Sequence, residues 1–166
     1  MKQLGYICLI FICFGCQQND AVSDKSTTTN SNNVVVETLN NDPLQADQEN
    51  IIGYRCGEGG ETPIAVKRMA ELLKKKQYDL VRKKLLTGKS AEKYLAAVVC
   101  QLCTNKKLFT LTASEQNAIG NLKKNTEKVV LCSGCTNWGE YMLWELFIDE
   151  PGEIKRVKDY FDELLH

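Results

Sequence analysis

The chain has 166 residues with 21 basic and 21 acidic side chains, so its formal net charge is zero. Eight cysteines stand against a single histidine, and that histidine, His166, is the last residue. Catalysis by a Ser–His or Cys–His couple inside a fold is thereby excluded.

The first element is an apolar run, Leu4 to Phe14, behind one positive charge at Lys2. Eleven residues are too few for a bilayer core, which takes about 20 in a helix, but they suit the apolar region of an export signal. The run ends in Gly15-Cys16 and turns polar at Gln17-Gln18-Asn19-Asp20. This resembles a bacterial lipoprotein signal, although Cys13-Phe14 stand where the commonest form has Leu and a small residue. The resemblance covers residues 1–16 only. It implies cleavage before Cys16, a lipid anchor on that cysteine, and residence in the cell envelope. Two or three acyl chains, at ~0.8 kcal/mol per buried methylene, anchor stably. Gln17 occupies the place where Asp commonly signals inner-membrane retention, so the resemblance points to the outer membrane.

Residues 17–50 are rich in Asn, Ser, Thr, Gln and Asp. Such a composition buries too little apolar surface to offset chain entropy, which predicts a disordered linker. Val34-Val35-Val36 interrupts it as a sticky spot in a loop. The expected organisation is a signal over 1–15, a lipidated N-terminus and linker over 16–55, and one folded domain over 56–166.

The punctuation of that domain is helical. Thr62-Pro63 opens a helix carrying Ile64, Ala65, Met69, Leu72 and Leu73 at helical spacing. Tyr78, Val81 and Leu85 continue the pattern, and Gly88 sits where a helix end favours a left-handed residue. Ser90 is a candidate cap for a helix with the stripe Tyr94, Leu95, Val98, Val99, Leu102. Thr112-Ala113-Ser114-Glu115 forms a capping box before Ile119 and Leu122. Trp138 to Ile148 is apolar on most sides, which predicts a buried helix. Glu150-Pro151 starts the last, with Ile154, Val157 and Phe161 on one face. Short strands are conceivable at 108–111 and 129–131, but the pattern favours an all-α fold. Five or six antiparallel helices in a small bundle or short stack are expected, supported by disulfides. The succession loosely resembles helical-repeat stacks, without a repeat period.

Cys8 and Cys13 leave with the signal, and five cysteines remain after Cys16. Two C-x-x-C pairs, Cys100/Cys103 and Cys132/Cys135, are separated by 28 residues, with Cys56 left over. In a reducing compartment that layout would specify a four-thiolate zinc site; export favours disulfides. Cys100 and Cys103 lie off the helix's apolar stripe, where another segment can meet them. A bridge within a helical C-x-x-C is strained, so bonds between the two pairs are expected, with Cys56 as the fifth thiol. A zinc site on Cys100, Cys103, Cys132 and Cys135 is the alternative. Haem attachment lacks its histidine, because Thr104 and Thr136 follow the two pairs.

Residues 67–107 hold twelve bases against three acids, a basic half suited to solvent, anionic lipid or an envelope polyanion. Nucleic acid is not an expected partner in the envelope. Trp138, Tyr141 and Trp144 fit a helix core better than a ligand groove, and carboxylates such as Glu140, Glu145, Asp149 and Glu150 read as solvated. The expected function is a non-enzymatic, membrane-anchored binding or adaptor domain with no cofactor. The alternative is a thiol-redox or metal-binding protein using the C-x-x-C pairs.

Overall fold

The computed structural model describes residues 48–166; the signal, Cys16 and Val34–Val36 lie outside the described residues. A 3-10 turn, Gln48–Asn50, leads into strand β1, Ile51–Cys56. Helices α1 (Ile64–Lys74), α2 (Tyr78–Thr87), α3 (Ser90–Asn105) and α4 (Ala113–Leu122) follow. Strands β2 (Lys128–Gly134) and β3 (Asn137–Met142) form a hairpin, and α5 (Glu145–Ile148) and α6 (Gly152–Glu163) close the chain.

The fold is therefore mixed α/β, and the all-α expectation is wrong. The sheet has the order β1-β2-β3, with β1 parallel to β2 and β2 antiparallel to β3. Parallel neighbours need a long crossover, and here α1 to α4 supply it. Periodicity assigns Trp138–Ile148 to one helix; the structure puts Trp138 on β3 and keeps only Glu145–Ile148 helical. The domain also starts earlier than composition suggests. Asn50 accepts a hydrogen bond from the Ala91 N–H (3.2 Å) and donates to the Lys128 carbonyl (2.8 Å), tying the start of β1 to α3 and β2.

One face of the sheet supplies Ile52, Val129 and Leu131 to the main core. Val66, Met69 and Leu73 of α1, Leu95 and Val99 of α3, and Val157 and Phe161 of α6 complete it. Each such side chain, fully buried, contributes ~1.5–3 kcal/mol. Helix α3 is enclosed: Ala96, Ala97 and Cys100 are as buried as Leu95 and Val99.

Two ion pairs fasten α2 to its neighbours. Arg82 donates twice to Glu115 of α4, at 2.6 and 3.0 Å, while Thr112 and Glu115 form the expected capping box. Lys84 donates to both oxygens of Glu92 on α3, at 2.8 and 2.9 Å. Gly88 is extended rather than left-handed. Its need for glycine is close approach, since a Cβ would lie 2.6 Å from the Lys84 carbonyl oxygen. Ser90 does not cap α3; its hydroxyl donates to Glu127.

Candidate functional site

The site is assembled on the outer face of the sheet, where Ile51, Cys56 and Cys132 form a second small cluster with Val130 and Trp138. Strict alternation along β1 would send Cys56 to the core face with Ile52 and Tyr54. A bulge prevents this. The register with β2 shifts between Tyr54 and Cys56, and Arg55 takes a left-handed conformation at φ 59°. The extra residue turns Arg55 outward and returns Cys56 to the face that carries Cys132.

Cys56 and Cys132 are joined in a disulfide, with Cα atoms 5.5 Å apart. Gly53 makes room for it. Gly53 is the register partner of Cys132, and a Cβ there would collide with the Cys132 carbonyl oxygen and Sγ. It would also stand 3.0 Å from Cys56 Sγ. The sulfurs lie over the space that a larger side chain would fill.

Beyond Cys56 the glycine-rich turn adopts left-handed conformations at Gly57 (φ 68°) and Gly60 (φ 61°) and returns to pair Cys56 with Glu61. The Gly57 N–H donates to the Gly134 carbonyl at 2.9 Å, fixing the turn against the hairpin tip. Between this turn, the start of α1 and β3 lies a groove of about 340 Å³. Ile51, Cys56, Pro63, Ile64 and Trp138 give it apolar walls, and Glu61 and Lys67 stand at its rim, 3.8 Å apart. Trp138 is the register partner of Cys132 and is half-buried. A larger cleft, about 710 Å³, runs between Leu102 and α6. Within its charged lining Lys158 pairs with Glu150 (2.7 Å), and Asp162 pairs with Lys106 beside the cleft (3.1 Å).

The expected cross-link between the C-x-x-C pairs is corrected by this geometry. Of its four cysteines, only Cys132 is bonded, and its partner is Cys56, the residue expected to be left over. Cys100 and Cys103 are buried free thiols, and Cys135 is an exposed one. Cys100 and Cys103 lie off the apolar stripe yet inside the core, because α3 is enclosed on nearly all sides. Burial pushes the Cys100 thiol up to about 12 and the Cys103 thiol to about 11. Both are protonated near neutral pH and poor nucleophiles. With Cys132 in a disulfide, the four-thiolate zinc set is not assembled; no group of three candidate ligands is drawn together among the described residues.

Trp138 is the residue that sequence reasoning missed, by placing it in a helix core. Trp138, Glu140 and Met142 share one strand face and Gly139 and Tyr141 the other, a mixed pattern without the apolar alternation that marks a strand. No protein-family model, curated protein or solved structure matches this chain.

Proposed function

We propose that the chain is a lipid-anchored envelope protein whose α/β domain binds a partner through the groove beside Trp138. Cleavage before Cys16 and lipidation there follow from the signal-like residues 1–16, and Gln17 favours the outer membrane. The observation that carries the binding role is the half-buried Trp138 set against a disulfide, at the mouth of an apolar groove. An aromatic anchor with a polar rim is the composition of a recognition site. The bulge, Gly53 and the disulfide hold its walls in one geometry, which lowers the entropy lost on binding.

Two measurements test the reading. Palmitate labelling of the full chain should disappear in Cys16→Ser, and label that persists would sink the anchor. A photo-crosslinking residue placed at Trp138 in cells should give a discrete adduct, while the same probe at Ile148, 67 % exposed, should not. Equal labelling at the two positions would remove the groove from consideration.

A second reading is thiol–disulfide exchange, favoured by Cys135, which is exposed and free three residues from the bonded Cys132. Attack of the Cys135 thiolate on Cys132 Sγ would form a Cys132–Cys135 bond and release Cys56 as thiolate. Peptide mapping under mild reduction distinguishes this, because exchange requires some Cys132–Cys135 product.

A further inference from the structure

Helix α2 shows a surface that neither the core nor the groove accounts for. Its inward side is Val81 and Leu85, both buried, with the Tyr78 ring tilted against Phe109, centroids 5.9 Å apart. Its flanks are engaged by the Arg82–Glu115 and Lys84–Glu92 pairs. Helical spacing leaves Leu80, Lys83, Leu86 and Thr87 on the outward arc, with Lys76 in the left-handed turn (φ 52°) that precedes the helix.

Leu80 is 44 % exposed and Leu86 49 %. A third leucine, Leu108, 44 % exposed, shares with Leu80, Tyr78 and Phe109 a cleft of about 360 Å³ that Lys76 also lines. Next to these residues in the chain come Lys74 and Lys75 before Lys76, Lys83 on α2 and Lys107 before Leu108, all exposed. None of these lysines, nor Lys76, pairs with a carboxylate among the described residues, whereas Lys67, Arg68, Lys84 and Lys106 do. Over residues 71–87 the acids are Asp79, turned toward Arg82 at 3.7 Å, and Glu71. Five lysines against two acids leave a clear positive excess.

We propose that this face, the outward side of α2 with the lysines of the α1–α2 joint and Leu108, rests on an anionic lipid surface. Lysines alone would fit any polyanion. Exposed leucines among them fit a bilayer, where ammonium groups meet headgroup phosphates while aliphatic side chains enter the acyl boundary. A soluble polyanion offers the leucines no apolar medium. The inference rests on the lipid-anchor reading, which keeps the domain within reach of a membrane and raises its effective concentration there.

The test uses the chain from Gln17 onward, without lipid, sedimented with vesicles. One set is phosphatidylglycerol and phosphatidylcholine in equal parts, the other phosphatidylcholine alone. Binding to the anionic set that falls with added salt is expected, with little to the neutral set. The triple variant Lys74→Glu, Lys75→Glu, Lys76→Glu should bind on the order of 100-fold more weakly, given the attraction per lysine near an anionic surface. The double variant Leu80→Ser, Leu108→Ser should lose about 10-fold, from two side chains withdrawn from the acyl boundary. Unchanged melting checks that both fold, and Lys123→Glu with Lys124→Glu on α4's far end serves as the charge control. Absence of salt-sensitive binding overturns the proposal, as does a control variant that weakens binding as much as the triple one. Loss in the lysine variant with none in the leucine variant also overturns it, and assigns the face to a soluble polyanion. The palmitate label on Cys16 is read on the full chain, so failure of the anchor and failure of this face are separate results.

Discussion

The two C-x-x-C pairs have the same spacing and opposite surroundings. On α3, Cys100 and Cys103 fall on a helix packed on nearly every side, so both thiols are sealed in the core, unbonded. On β2 and its hairpin, Cys132 points to the outer face and finds Cys56, while Cys135, past the left-handed Gly134, stands in solvent. Spacing in sequence thus says little about thiol chemistry until the backbone period and its enclosure are known. The two regions are also fastened differently. The helical layer is fastened by part-buried ion pairs, of which Arg82–Glu115 responds to acid, and the outer sheet face by a covalent bond, which responds to reductant.

The sharpest test of that contrast is reduction. The disulfide closes a loop of 76 residues, for which the chain-entropy relation gives about 4 kcal/mol. Reduction, or Cys132→Ser, should lower Tm by more than about 10 °C in calorimetry. Non-reducing peptide mapping should recover Cys56 joined to Cys132, and a melting point indifferent to reductant would contradict the structure. Gly53→Ala should approach the same loss, because its Cβ has no room beside the sulfurs.

Acid should act on the other region. The Arg82 guanidinium beside Glu115, helped by the Thr112 hydrogen bonds, holds the Glu115 carboxyl down from 4.5 to about 2. A carboxyl depressed in the folded state stabilises fully above pH 4.5, and that contribution is lost as pH falls through 2. It amounts to roughly 3 kcal/mol. Denaturant unfolding of the wild type should therefore weaken between pH 5 and pH 2, and Glu115→Gln should flatten that part of the profile. An unchanged slope in the variant would detach Glu115 from the acid response.

Smaller effects separate the thiols. Cys100→Ser places a hydroxyl in the core and should cost ~1–3 kcal/mol, whereas Cys135→Ser should stay within ~0.5 kcal/mol. Iodoacetamide under native conditions should label Cys135 and leave Cys100 and Cys103 until the domain unfolds. Native labelling of all three at similar rates would mean that α3 is not enclosed.

Helical parts of the fold were legible because their signals are local. The Thr112–Glu115 capping box and the stripes of α1, α2 and α6 each lie within a few turns of chain. The sheet was not legible, for the converse reason. Ile51-Ile52 are two apolar residues after a polar stretch, and the register partner of Ile52 is Leu131. Nothing near β1 announces a parallel neighbour that far along the chain. Strand β3 carries Gly139 on its core face, covered by the ring of Tyr141 with Cε2 2.8 Å from where a Cβ would stand. That gap breaks the apolar alternation by which a strand is recognised. The groove was missed with it, since Trp138 reaches the disulfide only from a strand. The bulge at Arg55 gave no warning either, because left-handed positions usually announce themselves with glycine or asparagine.

The position of the disulfide has a mechanical consequence. On the anchored, partner-binding reading proposed above, pull arrives from residues ahead of Gln48 and the load enters through β1. At Cys56 the Cys132 bond passes it directly to β2, so the crossover carrying α1 to α4 lies outside the load path. Stretching the oxidised protein can release only what precedes Cys56 and follows Cys132. Reduction should add the bridged 76 residues, a step in contour length of about 260 Å at roughly 3.4 Å per residue. In single-molecule extension the helical layer should behave as slack kept in reserve until that one bond is cut.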